Sequence, residues 1–517
     1  MRSLLSIAAL FGLLLQQSFV AASPLPPSDT PRYFERDPTT RLRLTSAQVQ
    51  KELGPVVSKE TVIFGPDSTL YPNATSRWVT YVRPDIKVVV QPAKESDVAT
   101  IVKYCNANSI DFLARNRGHG LTTSLNAFSG MEIDLSLLRG ATVNKEKQTA
   151  LLLGGSYAGP TIQTLWDQGY VTSTGAATCV GLMGVALGGG HGRLESLYGL
   201  VGDGLVHLNA VLADGSTIGI NSTSHSDLFW AMKGAGHNFA IITSYEVKIY
   251  PQPATTWHYH NYTWTGDKVK RVFTELNKLH TSANGTTPVR MAYEGGSMSL
   301  DPSISTTKAI LSWSFAYNGP AQEAEKLLAP FNAIGSVHEE VGDVPYIDIP
   351  DIQGTSEDGP ACQDAPYVVS SNMLLRYNVT TQQAMYDQFN QYAAKYPQLG
   401  AGTRISFEGY ANKAVQAIDS ASTAYPHRDQ NHIVYFLGAV PDSTLFQAAQ
   451  AWAKATWTLW NEGKESRRPD TYVNYAAGQP YESIQSVYGY ESWRLQRLMG
   501  LKAKYDPHNR FRWFVPV

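Results

Sequence analysis

Two rhythms of apolar and polar positions run along this chain. The stretch "IKVVVQPAKESDVATIVKYCNANSIDFLARNRGHG" moves from a β-branched run to helical spacing and back. Residues 86–90 predict a strand. Val98, Ile101, Val102 and Cys105 then recur at helical intervals behind a cap at Ser96. Residues 110–114 predict a second strand, followed by a glycine turn. Another strand fits "GMEIDLSLL", and "ATVNKEKQTALLLGGS" reads as a hairpin. A helix follows in "AGPTIQTLWDQGY", with Pro160 near its first turn. "LVHLNAVLADGSTIGI" is a second hairpin turning at Asp214-Gly215, and "SDLFWAMKGAGHNFAIITSYEVKIYP" predicts a capped helix, a glycine turn and a long alternating strand.

Pro251 and Pro253 mark a boundary, beyond which the rhythm changes. From about 254 to 468, amphipathic helices such as "KVKRVFTELNKLHTSA", "AQEAEKLLAPFNAIG" and "TTQQAMYDQFNQYAAKYP" alternate with strands such as "AILSWSFAY" and "HIVYFLGAV". Strands between helices that cover one face predict an α+β arrangement on an antiparallel sheet. The segment "ESWRLQRLMGLKAKYDPHNRFRWFVPV" returns to a helix and a tail.

Composition narrows the function classes. Of 517 residues, 43% are hydrophobic and 17% charged, enough for a filled core. A net charge of -2 argues against a nucleic-acid partner, which needs a basic surface. Tyrosine (28) and tryptophan (11) are plentiful, which suits a roomy site for a flat or ring-shaped ligand and equally a Tyr-rich core. Residues 1–22 have a positive start at Arg2, an apolar run and a small-residue cleavage site, the pattern of a secretory signal peptide. No other stretch approaches the ~18 apolar residues of a membrane span, so no membrane anchor is expected. Sequons at Asn73, Asn221, Asn261, Asn284 and Asn378 fit an exported glycoprotein. The three cysteines, Cys105, Cys179 and Cys362, are too few for a disulfide scaffold, and their odd number leaves at least one thiol over.

Several chemistries are absent from the sequence. There is no G-x-x-x-x-G-K-[ST], H-E-x-x-H or G-x-S-x-G motif, and "LGGGHGRL" lacks the G-x-G-x-x-G spacing of a dinucleotide fold. His258 and His260 in "WHYH" share a strand face, but two histidines without a third ligand make a poor metal site, so no metal is expected. Two glycine-containing turns remain, "ARNRGHGLTTS" and "TSTGAATCVGLMGVALGGGHGRL". Each lets backbone N–H groups approach a phosphate or a flat ring with no Cβ in the way, although either can also be a plain tight turn. The second contains Cys179, which raises the question of a reactive thiol.

Taken in order, these blocks resemble the berberine-bridge-enzyme-like FAD-linked oxidoreductases, whose PCMH-type FAD-binding fold is shared with vanillyl-alcohol oxidase. The resemblance rests on the flavin segment ending in R-G-H-G, on "MEIDLSLL", "VLADGSTI", "DLFWAMKGAGHNFAIITSYEVKIYP" and "TAYPHR", and on "YVNYAAG" with "YGYESWRLQRLMGLKAKYDPHNRF". It implies a leader over 23–75, a FAD-binding domain over 76–253, an inserted substrate domain over 254–468, and a segment 469–517 returning to the FAD domain. It implies FAD bonded covalently through His119. Arg115, Asn116, Arg117, Gly118, Gly120 and Leu121 would lie around the pyrophosphate, and Val180, Gly181, Gly184, Gly188, Gly189, Gly190, Ile242 and Asn474 close to the cofactor. Tyr472 and Tyr475, on a "YVNY" strand, are the catalytic candidates; a tyrosine serves as a base only if its site depresses a pKa of about 10. His427 in "AYPHRD" is a lesser candidate.

The chain departs from the family pattern in places. Many relatives carry a second flavin tether, a cysteine three positions before the Val-Gly of the second turn; here that position is Ala177. Cys179 comes two residues later, which in extended chain displaces a sulfur by ~6–7 Å, so single attachment through His119 is expected. Ala240 stands where the family block usually has glycine. Val180 falls where relatives with valine admit oxygen. The resemblance therefore implies an exported oxidase moving hydride from a small organic C–H to flavin, with O2 as acceptor. A tailoring step in fungal secondary metabolism is the leading expectation, a secreted carbohydrate oxidase the alternative, and a non-catalytic flavin- or glycan-binding protein the remaining one.

Overall fold

A computed structural model describes residues 44–517. The signal-peptide segment, and the leader up to residue 43, lie outside the described residues.

The first sheet has four strands, Val62–Phe64 (β1), Asp85–Gln91 (β2), Phe112–Arg115 (β3) and Ser129–Asp134 (β4), in the order β1-β2-β4-β3. β2, β4 and β3 run parallel, and helix Glu95–Ala107 (α1) makes the crossover from β2 to β3. The helix begins two residues earlier than a cap at Ser96 predicts, with Lys94 in the capping position. Ser96 is in its first turn, and capping falls to Asp97, which accepts from the Lys94 N–H at 3.0 Å and from the Ser58 N–H and the Thr61 hydroxyl.

The second sheet is antiparallel. Ala141–Asn144 (β5), Thr149–Leu153 (β6), Leu205–Val211, Thr217–Asn221 and Ile241–Lys248 take part, with short Tyr170–Val171 (β7) pairing elsewhere. Numbering Leu205–Val211 as β8, Thr217–Asn221 as β9 and Ile241–Lys248 as β10, the order is β5-β6-β10-β8-β9. Both predicted hairpins are present, and Gly215 takes φ 81° at the second turn. Helix Ala158–Trp166 (α2) carries Pro160 in its first turn. The helix Ser226–Ala231 starts without the predicted side-chain cap, from His225 in left-handed backbone. Tyr250–Pro251 (β11) pairs with β7 and closes this half.

The third sheet is fully antiparallel with seven strands: Trp257–Thr265 (β12), Met291–Asp301 (β13), Ser305–Tyr317 (β14), His338–Val344 (β15), Tyr367–Leu374 (β16), Thr403–Tyr410 (β17) and His432–Ala439 (β18). Helices Val269–Leu279, Ala321–Asn332 and Val379–Lys395 follow the predicted amphipathic segments, and Phe446–Glu462 adds a fourth. Trp264, Phe273, Trp313, Phe331, Phe389 and Trp452 form the apolar layer between these helices and the sheet. Each such ring contributes roughly 1.5–3 kcal/mol by leaving water.

The other side of this sheet faces the first two sheets. Leu152, Ile162, Met183, Leu208 and Tyr245 join Trp257, Tyr259, Tyr293 and Tyr410 in one continuous apolar cluster. The C-terminal helix Ser492–Tyr505 and the tail then dock back on the first half. Lys502 donates to the carbonyls of Asn238 and Phe511 and to Asp506, while Arg510 binds Asp111 and the Ile110 carbonyl. The molecule is therefore α+β, with the C-terminal segment packed on the first two sheets and an antiparallel seven-stranded sheet between them in sequence. "YVNY" is not the expected strand: Val473–Tyr475 is a single 3-10 turn.

Candidate active site

A cavity of about 730 Å³ lies between the first two sheets and the side of the seven-stranded sheet that its helices leave uncovered. Its first wall is the turn after β3. Gly118 has φ 75°, and a Cβ there would stand 2.6 Å from the Ser76 carbonyl, so glycine is required where the chain swings towards the cavity. Gly120 and Leu121 also line it. The flanking side chains hold the turn in place. Asn116 donates to the carbonyls of Gly154 and Ser156, Arg117 pairs with Glu357 and donates to the Cys179 carbonyl, and Arg115 lies beside Asp134. The Nε of Arg115 is buried and lacks a partner among the described residues.

His119 opens on this cavity. Burial, with Arg117 and Arg115 nearby, lowers its pKa to about 4, so the ring is a neutral imidazole at physiological pH. It packs 6.1 Å from the Trp78 ring, and no described residue hydrogen-bonds either ring nitrogen. The arrangement leaves a nucleophilic nitrogen free.

The second wall comes from the glycine-rich stretch, and its glycines divide into two groups. Gly181 and Gly184 line the cavity with Val180; a Cβ on Gly184 would meet nothing within 4 Å. Gly188, Gly189 and Gly190, expected against the cofactor, pack on protein instead. A Cβ on Gly188 would fall 2.1 Å from Asn474 Oδ1, one on Gly189 2.7 Å from the Tyr425 ring, and one on Gly190 2.6 Å from Val201. Their bareness makes room for Asn474 and Tyr425, which stand behind the wall or form it. Ile242 and Ala240 line the cavity as well, and Ala240 is not among the left-handed residues, so its Cβ is accommodated.

Cys179 is bonded to Cys362, 183 residues away, and Cys105 is the buried free thiol. The disulfide ties the segment around 353–362 to the cavity wall. Arg193 reinforces that tie through Gln353, Thr355 and the Ala176 carbonyl. Gln353, Gly354, Thr355, Pro360 and Ala361 are themselves cavity-lining.

The third wall is the sheet face, where the functional group the sequence hid stands. Glu408 on β17 is buried and accepts from Tyr475 at 3.1 Å and from Tyr410 at 3.0 Å. Burial outweighs these hydrogen bonds and holds its carboxyl above the usual carboxylate range. Tyr472 and Tyr475 both line the cavity, but burial raises both phenols, and neighbouring Glu408 raises Tyr475 further. They are thus neutral donors, not the depressed tyrosine a base requires. Tyr472 accepts from the Asn474 side chain at 2.7 Å, and Asn474 also donates to the Val185 carbonyl. His191 joins the lining, its Nδ1 on Glu195 at 3.0 Å and its Nε2 2.6 Å from the Tyr425 hydroxyl. His427 is not among the lining residues; it packs behind Tyr425 with Nδ1 3.9 Å from Asp470.

These features fit FAD. A long cavity with an open glycine wall at Gly184, an orphaned Arg115 Nε and a free neutral imidazole at His119 match a cofactor with a flat ring and a pyrophosphate. Residues 86–221 match a family model described as an FAD binding domain. Across 100% of this chain and 99% of the relative, the sequence is 53% identical to the FAD-linked oxidoreductase iacH of Pestalotiopsis fici. The chain belongs to the FAD-linked oxidoreductases. This oxidoreductase is also 45% identical to the FAD-linked oxidoreductase anuG of Penicillium roqueforti, over 98% of each chain. Its fold matches a solved glucooligosaccharide oxidase from Acremonium strictum, whose flavin is described as 6-S-cysteinyl, 8α-N1-histidyl FAD. That match has a TM-score of 0.76 at 23% identity, covering 91% of this chain and 98% of the other. A Physcomitrella patens BBE-like 1 structure aligns with a TM-score of 0.77 at 19% identity, over 90% and 98%. Family membership sets aside the non-catalytic binding protein.

Sequence reasoning reached the flavin side of this oxidoreductase and missed the substrate side. Glu408, Tyr410, Tyr293, Tyr435 and His191 carry no local motif. The one available signal was an acidic residue between the aromatic residues Phe407 and Tyr410 of "TRISFEGY".

Proposed function

We propose that this enzyme is a single-tethered FAD oxidase that dehydrogenates a small, ring-containing organic molecule, acting as a tailoring step in fungal secondary metabolism. The observation that carries this reading is the buried Glu408, hydrogen-bonded to Tyr475 and Tyr410 on the cavity wall that faces the flavin side. When bound, FAD supplies the hydride acceptor and passes the electron pair to O2, which leaves as hydrogen peroxide. Glu408 takes the proton released from the substrate hydroxyl. Its raised pKa brings the carboxyl closer to neutral pH, where a general base is most effective. Tyr475 and Tyr410 orient the carboxylate, and Tyr472 with Asn474 sets the cavity wall beside α3, the helix Leu182–Leu187. His119 holds the cofactor covalently. Ala177 and the disulfide-bonded Cys179 supply no second thiol.

Trp78, Tyr293 and Tyr435 in the lining favour a flat or aromatic substrate over a sugar chain. Export through the secretory pathway is part of the proposal. It rests on the signal-like residues 1–22, the sequons, and a disulfide of the kind that persists in oxidising compartments. The test is peroxide release in air on a panel of phenolic polyketides, alcohols and oligosaccharides. Turnover on the phenolic compounds is expected. Turnover confined to the oligosaccharides would move the assignment to a carbohydrate oxidase, and no peroxide with reduced flavin accumulating would remove O2 as acceptor.

A further inference from the structure

His258 and His260 stand two residues apart on β12, so both rings leave the same side of the sheet. Asn261 and Thr263 line the flavin cavity on the other side. The histidine side is covered by helix Ala321–Asn332, written α4 here, and Glu325 from that helix reaches between the two rings. One oxygen, Glu325 Oε1, lies 2.9 Å from His258 Nε2 and 2.8 Å from His260 Nδ1. These side chains converge on a point, and the third ligand missing from the strand motif comes from a helix 65 residues further on.

We propose that His258, His260 and Glu325 form a binding site for one divalent first-row transition ion, with zinc as the expected occupant. Two imidazole nitrogens and a carboxylate are the donor set such ions prefer, and calcium or magnesium would need more oxygens. The three donor atoms lie within 4.8 Å of one another. Tetrahedral ligands at about 2.0–2.1 Å from zinc sit roughly 3.3 Å apart, a little wider than the two Glu325 Oε1 contacts, so entry of the ion moves Glu325 outward.

The surroundings are those of a ligated site. Asp343, directly across from His258 in β15, lies 2.8 Å from its Nδ1 and fixes which nitrogen faces the ion. Asn332 donates to the other Glu325 oxygen at 2.9 Å, and Glu339 stands 3.7 Å from His260 Nε2. The histidine side chains are 4% and 6% exposed and that of Glu325 32%, so the ion enters past the carboxylate and keeps a water position there. A second group, His280, Glu294 and His432, lacks such an opening: all three side chains are at most 4% exposed. The first site would staple α4 to the edge of the sheet, opposite the chemistry.

The test uses tag-free holoenzyme stripped with EDTA, desalted, and titrated with Zn2+ alone. Bound metal is counted by mass spectrometry and stability followed by thermal melting. One zinc per chain and a raised Tm are expected, with affinity lowered roughly tenfold or more in His260→Gln and in Glu325→Gln. No retained zinc in the wild-type protein overturns the proposal, as does full retention in both variants. Should the variants fail to fold, Co2+ in the wild-type protein decides. Intense visible d–d bands of a four-coordinate site support it, and the weak spectrum of hydrated cobalt overturns it.

Discussion

The Tyr475 hydroxyl donates to Glu408 at 3.1 Å, joining the turn at Val473–Tyr475 to β17, an interior strand of the seven-stranded sheet. The donor is held neutral by burial, and the acceptor is a carboxyl whose pKa burial has raised. Replacing Glu408 with Gln should lower kcat by about 10²–10⁴-fold, the usual contribution of a general base, with flavin content unchanged. The wild-type kcat/KM should rise with pH as the carboxyl loses its proton, and that acidic limb should vanish in the variant. Tyr475→Phe removes a bond to the charged form, so its limb should move to higher pH. An unaltered limb in Glu408→Gln would assign the base elsewhere.

The neutral, partner-free imidazole of His119 is the expected point of flavin attachment. Acid-precipitated wild-type protein should stay yellow and fluorescent, and His119→Ala should give a colourless pellet. A wild-type pellet that bleaches while the native protein holds a full complement of FAD would rule out the covalent bond.

The Cys179–Cys362 bond closes a span of 183 residues. The double variant Cys179→Ser/Cys362→Ser should lose about 2–4 kcal/mol of stability in denaturant titration. Its flavin should remain acid-stable, because neither sulfur is a tether. Loss of covalent colour in this variant would contradict single attachment.

Gly188→Ala places a Cβ 2.1 Å from Asn474 Oδ1 and must push Asn474 away from Tyr472. A loss of about 1–3 kcal/mol is expected from overpacking. Removing the obstacle should restore part of it, so Gly188→Ala/Asn474→Ala should melt higher than Gly188→Ala with native Asn474. A double variant less stable than the single one would place the conflict elsewhere.

Lys502 donates to two backbone carbonyls and to buried Asp506. Lys502→Met strands that carboxylate and should cost about 3–5 kcal/mol, read as a lowered unfolding midpoint. Lys504, fully exposed on the same helix, provides the control, and Lys504→Met should shift the midpoint far less.

The flavin half of this molecule was legible because its signals are local. The β-branched run at 86–90, the helical spacing of Val98 and Ile101, and the Asp214-Gly215 hairpin each depend on a few neighbouring residues. Glu408 depends instead on antiparallel pairing and on a turn 67 residues later, and no window of sequence contains both. "YVNY" resembles a strand because Val and Tyr favour one, yet its backbone bonds to itself, the Tyr475 N–H donating to the Tyr472 carbonyl. Gly188, Gly189 and Gly190 read as a cofactor cradle because bare backbone looks the same whether a ring or a tyrosine approaches it. The partner of Cys179 could not be chosen from three cysteines by counting. The metal ligand beside His258 and His260 sits on a helix whose docking the strand pattern does not encode.

Phe511, Trp513 and Phe514 line the same cavity as His119 and the Tyr475 turn. A nascent chain synthesised through the seven-stranded sheet therefore still lacks one side of its cofactor chamber. Truncation ahead of residue 510 removes that side and should yield apoprotein however much flavin is supplied. The segment carrying Phe511, Trp513 and Phe514 thus completes the chamber.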